Sequence, residues 1–177
     1  MTNLVSNPVL SAHALDIAGE LVLRLSGMDE TVSGAESCTA GLAAALVACV
    51  PGASAVLWGS FVTYTEDAKE KMLGIPGELI REQGPVSRSV AEAMALKALE
   101  KSGTSWAFSI TGLAGPSGDG SPTPIGTVWI GIAGRGAGKR DQFQVEAKRH
   151  HFTGTRDDIR SASAIAALEA LLEKLQR

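Results

Sequence analysis

The sequence predicts an α/β protein, a three-layer α/β/α sandwich around a mixed, mostly parallel sheet. In the first two thirds of the chain, segments with helical periodicity alternate with short apolar segments typical of buried strands. The last two strand-like segments are joined only by a short glycine-rich link, 134–138, which predicts an antiparallel pair. The 177 residues are 45% hydrophobic, enough for the core of one domain, with residues 1–9 as an N-terminal tail.

The first half of the chain contains two predicted helices and two predicted strands. In chain order they are helix 15–25, strand 31–35, helix 38–49 and strand 55–63. Gly27 is expected to stop the first helix, because glycine adopts the left-handed conformation found at helix ends. The second helix is almost entirely Ala, Leu and Val, which indicates packing on most sides, and Pro51 ends it.

The second half contains the remaining helices and strands. In chain order they are helix 66–73, helix 75–81, helix 87–101, strand 105–111, strand 126–133, strand 139–152 and a last helix from Thr155. Pro76 suits the first turn of its helix, and Ser89 with Glu92 predicts a capping box in the next. The expected apolar stripe of the last helix is Ile159, Ala162, Ile165, Ala166, Leu168, Leu172 and Leu175.

Composition excludes several classes of function. A net charge of −3 argues against a nucleic-acid binder, and the basic residues 148–151 are interpreted as a solvated strand end. No signal peptide and no uncharged apolar stretch of about 18 residues appears, so we expect a cytoplasmic protein without a membrane span. Cys38 and Cys49 fall on one predicted helix about 16 Å apart, too far for a disulfide. Cysteines and histidines lack metal-ligand spacing, so no metal is expected.

The segment 35–41 runs from a buried strand into the predicted buried helix. Ser37 would then lie beside the helix N-terminus, whose free N–H groups could stabilise an oxyanion formed there. The alternative is that Ser37 or Thr39 only caps the helix. Cys38 is a rival nucleophile at the same position, because a helix N-terminus lowers a thiol pKa.

A second segment, 111–116, leaves the strand 105–111 with two glycines and a proline. Its glycines would let a ligand approach the backbone, and its N–H groups could hold a phosphate or a carboxylate. The alternative is an ordinary connection, and the Gly-Lys-Ser/Thr ending of a P-loop is absent.

A serine nucleophile needs a base, and the three histidines are poorly placed for that role. His13 falls in a surface-like helix, while His150 and His151 point to opposite faces of a strand. Lys69, one turn into a short helix after the second strand, could serve if burial lowers its pKa, with Tyr64 as a proton relay. Taken by itself, without the other motifs, Lys69 is interpreted as a surface lysine.

Six ordered motifs make the sequence recognisable. They are AESCTAG (35–41), VPGASAV (50–56), FVTYTEDAKEKMLGI (61–75), GPVS (84–87), ITGLAGPSG (110–118) and PIGTVWI (124–130). The chain resembles the C-terminal domain family of the competence/damage-inducible CinA proteins, which includes stand-alone nicotinamide-nucleotide amidohydrolases. The resemblance implies an α/β/α fold and conversion of nicotinamide mononucleotide and water to nicotinic acid mononucleotide and ammonia. It implies no metal and no cofactor.

The resemblance also implies roles for particular residues. Ser37 falls on the nucleophile, with Tyr64 and Lys69 as its catalytic partners. The residues expected to contact substrate are Glu36, Cys38, Thr39, Gly41, Thr111, Gly112, Gly115 and Arg156, the last as a phosphate ligand. The sequence departs from the family pattern at Ala40, Thr65 and Glu66, and Glu66 adds a charge that bears on substrate preference.

Two alternative functions remain open from the sequence. One is a pyridine-nucleotide-binding module without catalysis, and the other is a serine amidase acting on a different amide. The retention of Ser37, Tyr64 and Lys69 favours catalysis, since binding alone would not need all three. We expect a homodimer or higher homo-oligomer, and no N-terminal nucleotide-processing domain of the kind found in the larger CinA proteins.

Overall fold

The computed structural model describes residues 11–135 and 143–176. Its helices are α1 (Ala12–Met28), α2 (Leu42–Ala48), α3 (Glu66–Ala68), α4 (Gly77–Gln83), α5 (Arg88–Ser102) and α6 (Arg156–Leu175). Its strands are β1 (Val32–Glu36), β2 (Leu57–Val62), β3 (Trp106–Gly112), β4 (Thr127–Arg135) and β5 (Phe143–His151). A 3-10 turn spans Ala53–Ala55, and α3 continues into a π-helical turn at Lys69–Leu73. The expected tail, 1–9, lies outside the described residues.

The five described strands form one sheet in the order β2-β1-β3-β4-β5. β1 pairs in parallel with β2 and β3, whereas β4 is antiparallel to both β3 and β5. Four of these strands therefore point the same way, which confirms the prediction of a mixed, mostly parallel sheet. The predicted antiparallel pairing of the last two strands is confirmed. Residues 134 and 135 of the predicted link 134–138 belong to β4, and residues 136–142, which join the two strands, lie outside the described residues.

Helices cover both faces of the sheet, so the predicted three layers are confirmed. On one face α1, α2 and α6 pack on Val32, Phe108 and Ile130. On the other face α5, α4 and the π-helical turn pack on Ala35 and Ala107. The parallel strands β1, β2 and β3 end together at one edge, which is where ligands bind in open α/β sheets.

One predicted helix end and one predicted helix cap were wrong. α1 continues through Gly27 to Met28, because Asp29 adopts the left-handed conformation (φ 55°) and its N–H closes the last turn. α5 begins within one residue of its predicted start, but its N-cap lies two residues before the predicted Ser89–Glu92 capping box, since Ser87 accepts from the N–H of Val90. Ser87 and Ser89 are both residues that can cap a helix, and local sequence does not decide between them.

The start of α6 follows the prediction, but its buried face is rotated. The side chains of Thr155 and Asp158 form a capping box that satisfies the first turn. The buried apolar residues are Ile159, Ala164, Ala167, Leu168, Leu171 and Leu172. The predicted Ala162, Ile165 and Ala166 are only half-buried, because the helix packs against α1 and α2 as well as the sheet.

Candidate active site

A cavity of about 330 Å³ opens at the carboxyl edge of the sheet. Its wall is formed by the residues that follow the parallel strands: Ser37 and Cys38, residues 64–66 with Lys69, the loop 111–115, Pro85 and Val86. Arg156 from the first turn of α6, Ser117 and Asp119 complete the wall. The cavity wall formed by the described residues includes none of the three histidines, in line with their predicted exclusion as bases.

Ser37 and Lys69 meet in this cavity. The Nζ atom of Lys69 donates a hydrogen bond of 2.9 Å to Ser37 Oγ, and a second bond of 3.1 Å to the Thr63 carbonyl. The Ser37 hydroxyl also lies 3.4 Å from the carbonyl oxygen of Tyr64, to which it can donate. Two residues 32 positions apart in sequence are thus held as a directly bonded hydroxyl–amine pair.

Burial changes the acid–base properties of Lys69. The residue is 2% exposed, and loss of solvation lowers the pKa of its amine from 10.5 to about 8, against smaller opposing effects of Cys38 and then of the Glu66 carboxylate. A substantial fraction of the amine is therefore neutral near physiological pH. A neutral amine next to a serine hydroxyl can accept its proton.

Tyr64 lies at the cavity mouth rather than against Ser37. Its side chain is 52% exposed, and its hydroxyl accepts a hydrogen bond of 2.7 Å from Arg156 Nη2. Arg156 also donates to the Gly115 carbonyl, so its guanidinium connects Tyr64 to the loop after β3. The Tyr64 side chain is thus placed to meet a ligand in the cavity, while its backbone carbonyl is what contacts Ser37.

The loop after β3 lies where the sequence predicted a ligand contact. The Thr111 hydroxyl donates to the Pro85 carbonyl at 2.7 Å, which fixes the loop to the segment before α5. A side chain at Gly112 would lie 2.7 Å from the Thr127 carbonyl, so only glycine fits against β4. Gly115 has a φ of 75°, a conformation that L-residues disfavour. All three residues line the cavity.

The segment after Ser37 is a turn, not the first turn of a helix. The helix predicted to begin at Cys38 begins at Leu42, and residues 37–41 form a turn in which Ala40 (φ 52°) and Gly41 (φ 95°) are left-handed. The first N–H groups of α2 therefore do not point at Ser37. The expectation that the helix N-terminus supplies donors beside Ser37 was wrong, because a carboxylate already occupies it.

That carboxylate belongs to Glu36, which is fully buried. It accepts hydrogen bonds from the N–H groups of Gly41, Ala43 and Ala44 and from the Ser60 hydroxyl, all between 3.0 and 3.1 Å. Glu36, Thr39 and Gly41 were expected to contact substrate, but the structure places all three outside the cavity wall. They build the 37–41 turn instead.

Cys38 lines the cavity but is chemically quiet. Its thiol is buried, and loss of solvation raises its pKa from 9.0 to about 11. The thiolate is the reactive form of cysteine, so this thiol is almost entirely inactive at neutral pH. The comparison favours Ser37 over Cys38 as the nucleophile. Cys38 and Cys49 are both free, as predicted.

Sequence reasoning missed Arg160. Its Nε and Nη2 donate to the carbonyls of Cys38 and Thr39 at 3.1 and 3.2 Å, so it holds the 37–41 turn from the side of α6. The available signal was spacing: Arg160 follows Arg156 by four residues, so both lie on one face of α6. That spacing does not reveal the hydrogen bond from Arg160 to Cys38, which lies 122 positions earlier in the chain.

A metal site and a membrane-spanning helix each have requirements that can be compared with the described residues. Over residues 11–135 and 143–176, no three His, Cys, Asp or Glu side chains come together as a metal ion would require. In the same part of the chain, none of the helices combines the length and apolar character needed to cross a membrane.

Fold and site together define a three-layer α/β domain that carries a serine–lysine pair at the carboxyl edge of its sheet. The family model described as "CinA C-terminal domain" matches residues 14–175, and the chain belongs to that family. A CinA-like protein from Geobacter metallireducens is 42% identical over 163 residues, and one from Anaeromyxobacter sp. is 42% identical over 151. The chain spans only about 37% and 35% of the lengths of these relatives.

Solved structures carry the same fold over their whole length. The competence/damage inducible protein CihA from Agrobacterium tumefaciens superimposes with a TM-score of 0.84 at 34% identity, covering 94% of this chain and 98% of that one. A CinA superfamily protein from Klebsiella pneumoniae gives a TM-score of 0.85 at 29% identity, covering 92% and 98%. The family predicted from the motifs is therefore confirmed.

Proposed function

We propose that this chain is an amidohydrolase that converts nicotinamide mononucleotide to nicotinic acid mononucleotide and ammonia. The observation that carries the proposal is the 2.9 Å contact between Ser37 Oγ and a buried Lys69 amine whose pKa is lowered to about 8. A serine hydroxyl becomes a competent nucleophile when an adjacent base can take its proton, and serine–lysine pairs do this in several hydrolase folds.

The proton transfers follow from this pair. Neutral Lys69 takes the proton of Ser37 as Oγ attacks the carboxamide carbon, and a tetrahedral oxyanion forms. Protonated Lys69 then gives its proton to the leaving nitrogen, the C–N bond breaks, and ammonia departs from the acyl-enzyme. Lys69 next takes a proton from water as the water oxygen attacks the ester carbonyl. It then gives that proton to Ser37 Oγ as the ester C–O bond breaks, which releases the acid and restores the Ser37 hydroxyl and the neutral amine. The Thr63 carbonyl, bonded to Nζ at 3.1 Å, keeps the amine oriented throughout.

The oxyanion needs hydrogen-bond donors other than the N-terminus of α2. Glu36 already uses the N–H groups of Gly41, Ala43 and Ala44. We assign this role to backbone N–H groups of the 37–41 turn that do not donate to Glu36. One of them is the N–H of Cys38, the residue directly after the nucleophile. Oxyanion donors of this kind contribute about 10²–10³-fold to kcat in serine hydrolases.

The choice of substrate rests on the family resemblance and on the far wall of the cavity. Arg156 and the loop 111–115 present a fixed cation and closely approachable backbone, which suit a phosphate group. The Tyr64 hydroxyl, which accepts from Arg156, keeps its own proton available to donate to the ligand or to the leaving nitrogen. A nucleotide bound in this way directs its carboxamide toward Ser37.

The test is ammonia release from nicotinamide mononucleotide by the purified chain. We expect wild-type protein to release ammonia and Ser37→Ala to lose at least about 10³-fold in kcat with an unchanged circular dichroism spectrum. Undiminished release by Ser37→Ala would remove Ser37 from the mechanism. Ammonia from simple amides but not from the nucleotide would identify a different serine amidase, and saturable calorimetric binding without product would identify a binding module.

A further inference from the structure

We propose that Glu36 and Arg160 are positioning residues that hold the 37–41 turn from opposite sides and thereby set the place of Ser37. Neither side chain belongs to the cavity wall, so neither touches a ligand there. Both side chains bond to the backbone of the turn: Glu36 accepts from the N–H of Gly41, and Arg160 donates to the carbonyls of Cys38 and Thr39. The kinetic part of this inference rests on the proposed function, whereas the structural part does not.

The turn has a conformation that it does not adopt unaided. Ala40 and Gly41 are consecutive left-handed residues, and Ala40 is one of two non-glycine residues with positive φ in the described chain. The left-handed region is disfavoured for alanine because its Cβ crowds the backbone. A strained segment persists when its surroundings over-determine it, and such segments concentrate at functional sites.

Hydrogen bonds fix each peptide plane of the turn. Arg160 holds the carbonyl of the Cys38–Thr39 peptide at 3.1 Å and that of the Thr39–Ala40 peptide at 3.2 Å. The N–H of the latter peptide donates to the Ser37 carbonyl at 3.1 Å, so one rigid plane connects Arg160 to the nucleophile's own backbone. The N–H of the Ala40–Gly41 peptide donates to Glu36 at 3.0 Å.

Glu36 also ties the turn to the elements around it. Its carboxylate receives the N–H groups of Ala43 and Ala44 in α2 and the hydroxyl of Ser60 in β2, which joins the turn to the helix and the edge strand. Buried bonds to a charged group are stronger than neutral ones, and leaving buried donors unpaired is costly. Loss of either residue would therefore release the turn locally.

Release of the turn would separate Ser37 from its base. Lys69 is anchored independently by the Thr63 carbonyl and by the packing around the π-helical turn. The Ser37 N–H remains bonded to the Ile110 carbonyl at 2.9 Å, so a shift of the turn acts through the Ser37 carbonyl. It reorients Oγ relative to Nζ and weakens the 2.9 Å contact. Displacement of a reacting group by about 1 Å can lower the rate by about 10²-fold, with little effect on binding.

The experiment compares Glu36→Gln and Arg160→Ala with a matched control, Glu30→Gln. The Glu30 carboxylate also accepts a partly buried hydrogen bond, from Trp106 Nε1 at 2.6 Å, but Glu30 lies at the opposite end of the sheet. We measure hydrogen exchange by mass spectrometry in peptides covering 37–45, together with kcat and KM for ammonia release from nicotinamide mononucleotide. Arg160→Lys, which retains the charge but not the two-pronged fork, provides the conservative rescue.

We expect Glu36→Gln and Arg160→Ala to accelerate exchange in 37–45 alone and to lower kcat by about 10–100-fold with KM nearly unchanged. Arg160→Lys should recover part of that loss, and Glu30→Gln should change neither readout. Faster exchange throughout the chain would indicate general destabilisation and overturn the proposal. Faster local exchange with an unchanged kcat would overturn it as well, because the turn would then be held without consequence for catalysis.

The design separates this inference from the proposed function. If wild-type protein releases no ammonia from the nucleotide, the proposed function fails, and exchange in 37–45 still decides whether the two residues hold the turn. If Glu36→Gln does not fold, Arg160→Ala decides alone, because its partly exposed guanidinium is not part of the core. Unchanged local exchange in Arg160→Ala would overturn the inference in either case.

Discussion

The two ends of the central sheet both bury polar side chains, but they satisfy them in opposite ways. At the amino end of the parallel strands, the hydroxyl oxygens of Ser33, Ser102 and Thr104 lie 2.8–3.1 Å from one another, and Ser102 and Thr104 can donate to backbone carbonyls. At the carboxyl end, the buried groups include Glu36 and Lys69, both ionisable, and Lys69 lines an open cavity.

The difference distinguishes a network that stabilises from one that reacts. Neutral hydroxyls that pair with one another and with backbone carbonyls are already satisfied, so this hydroxyl cluster stabilises the fold. Lys69 has two acceptors, Ser37 Oγ and the Thr63 carbonyl, whereas an ammonium has three donors. Loss of one proton leaves an amine that can still donate to Thr63 and can then accept from the Ser37 hydroxyl, which the hydroxyl cluster at the amino end has no counterpart for.

The largest effect should come from removing the amine at the carboxyl end. Lys69→Met should lower kcat for ammonia release by about 10²–10⁴-fold, because Ser37 loses the group that takes its proton. At pH 7 the free energy of unfolding should not fall, since methionine fills a similar volume without the cost of burying a charge. Chemical denaturation followed by circular dichroism measures the second quantity.

Lys71→Met is the matched control for this substitution. Lys71 lies two residues away on the same π-helical turn, but its side chain is 74% exposed and paired with Asp67 at 2.8 Å. Its replacement should leave kcat within about twofold of wild type, as expected of a surface ion pair. Equal losses from both substitutions would mean that the segment, and not the Lys69 amine, matters.

A smaller effect should come from titrating the same amine. Burial lowers the pKa of Lys69 to about 8, and only the neutral amine can act as a base. The rate should therefore rise with pH, level off above about 8, and at pH 6 lie about a hundredfold below its plateau. Stability changes in the same direction over a higher range: between pH 8 and 10.5 the unfolded chain binds more protons than the folded one, so stability rises with pH.

The measurement is a profile of log(kcat/KM) against pH, with stability followed in parallel. A rate that is flat from pH 6 to 9, or that falls as the pH rises through 8, would contradict a base with this pKa. It would also remove the contrast between the two ends of the sheet, because the buried amine would then be a structural donor like the hydroxyls at the amino end.

The sequence predicted the fold and part of the site at the carboxyl end of the sheet. Periodicity and motif order predicted the layers, the sheet type and the family, because burial patterns and motif spacing are local properties of the chain. The same motifs pointed to Ser37, Tyr64 and Lys69, all of which reach the cavity. The roles of Glu36 and Arg160 could not be predicted, since each depends on the turn at 37–41, which local propensity assigned to a helix.

The errors share one physical origin. Cys38 to Ala48 is rich in residues that favour helices, so propensity alone extends α2 back to Cys38. Tertiary hydrogen bonds override that preference, because Glu36 receives the N–H groups that an earlier helical turn would have used. The site is therefore where local and global preferences disagree, as expected where strain serves function.

The smallest effect should come from the amino end, where Ser33→Ala removes one hydroxyl from the closed network. The Ser33 side chain is fully buried, but its partners Ser102 and Thr104 can still donate to the carbonyls of Ala98 and Trp106. No donor is stranded, so the free energy of unfolding should fall by only about 1 kcal/mol, measured by urea denaturation. The rate of ammonia release should not change, because no cavity residue is touched. A rate loss in Ser33→Ala comparable to that in Lys69→Met would show that the two ends of the sheet act as one unit, and the distinction drawn between a stabilising and a reactive network would fail.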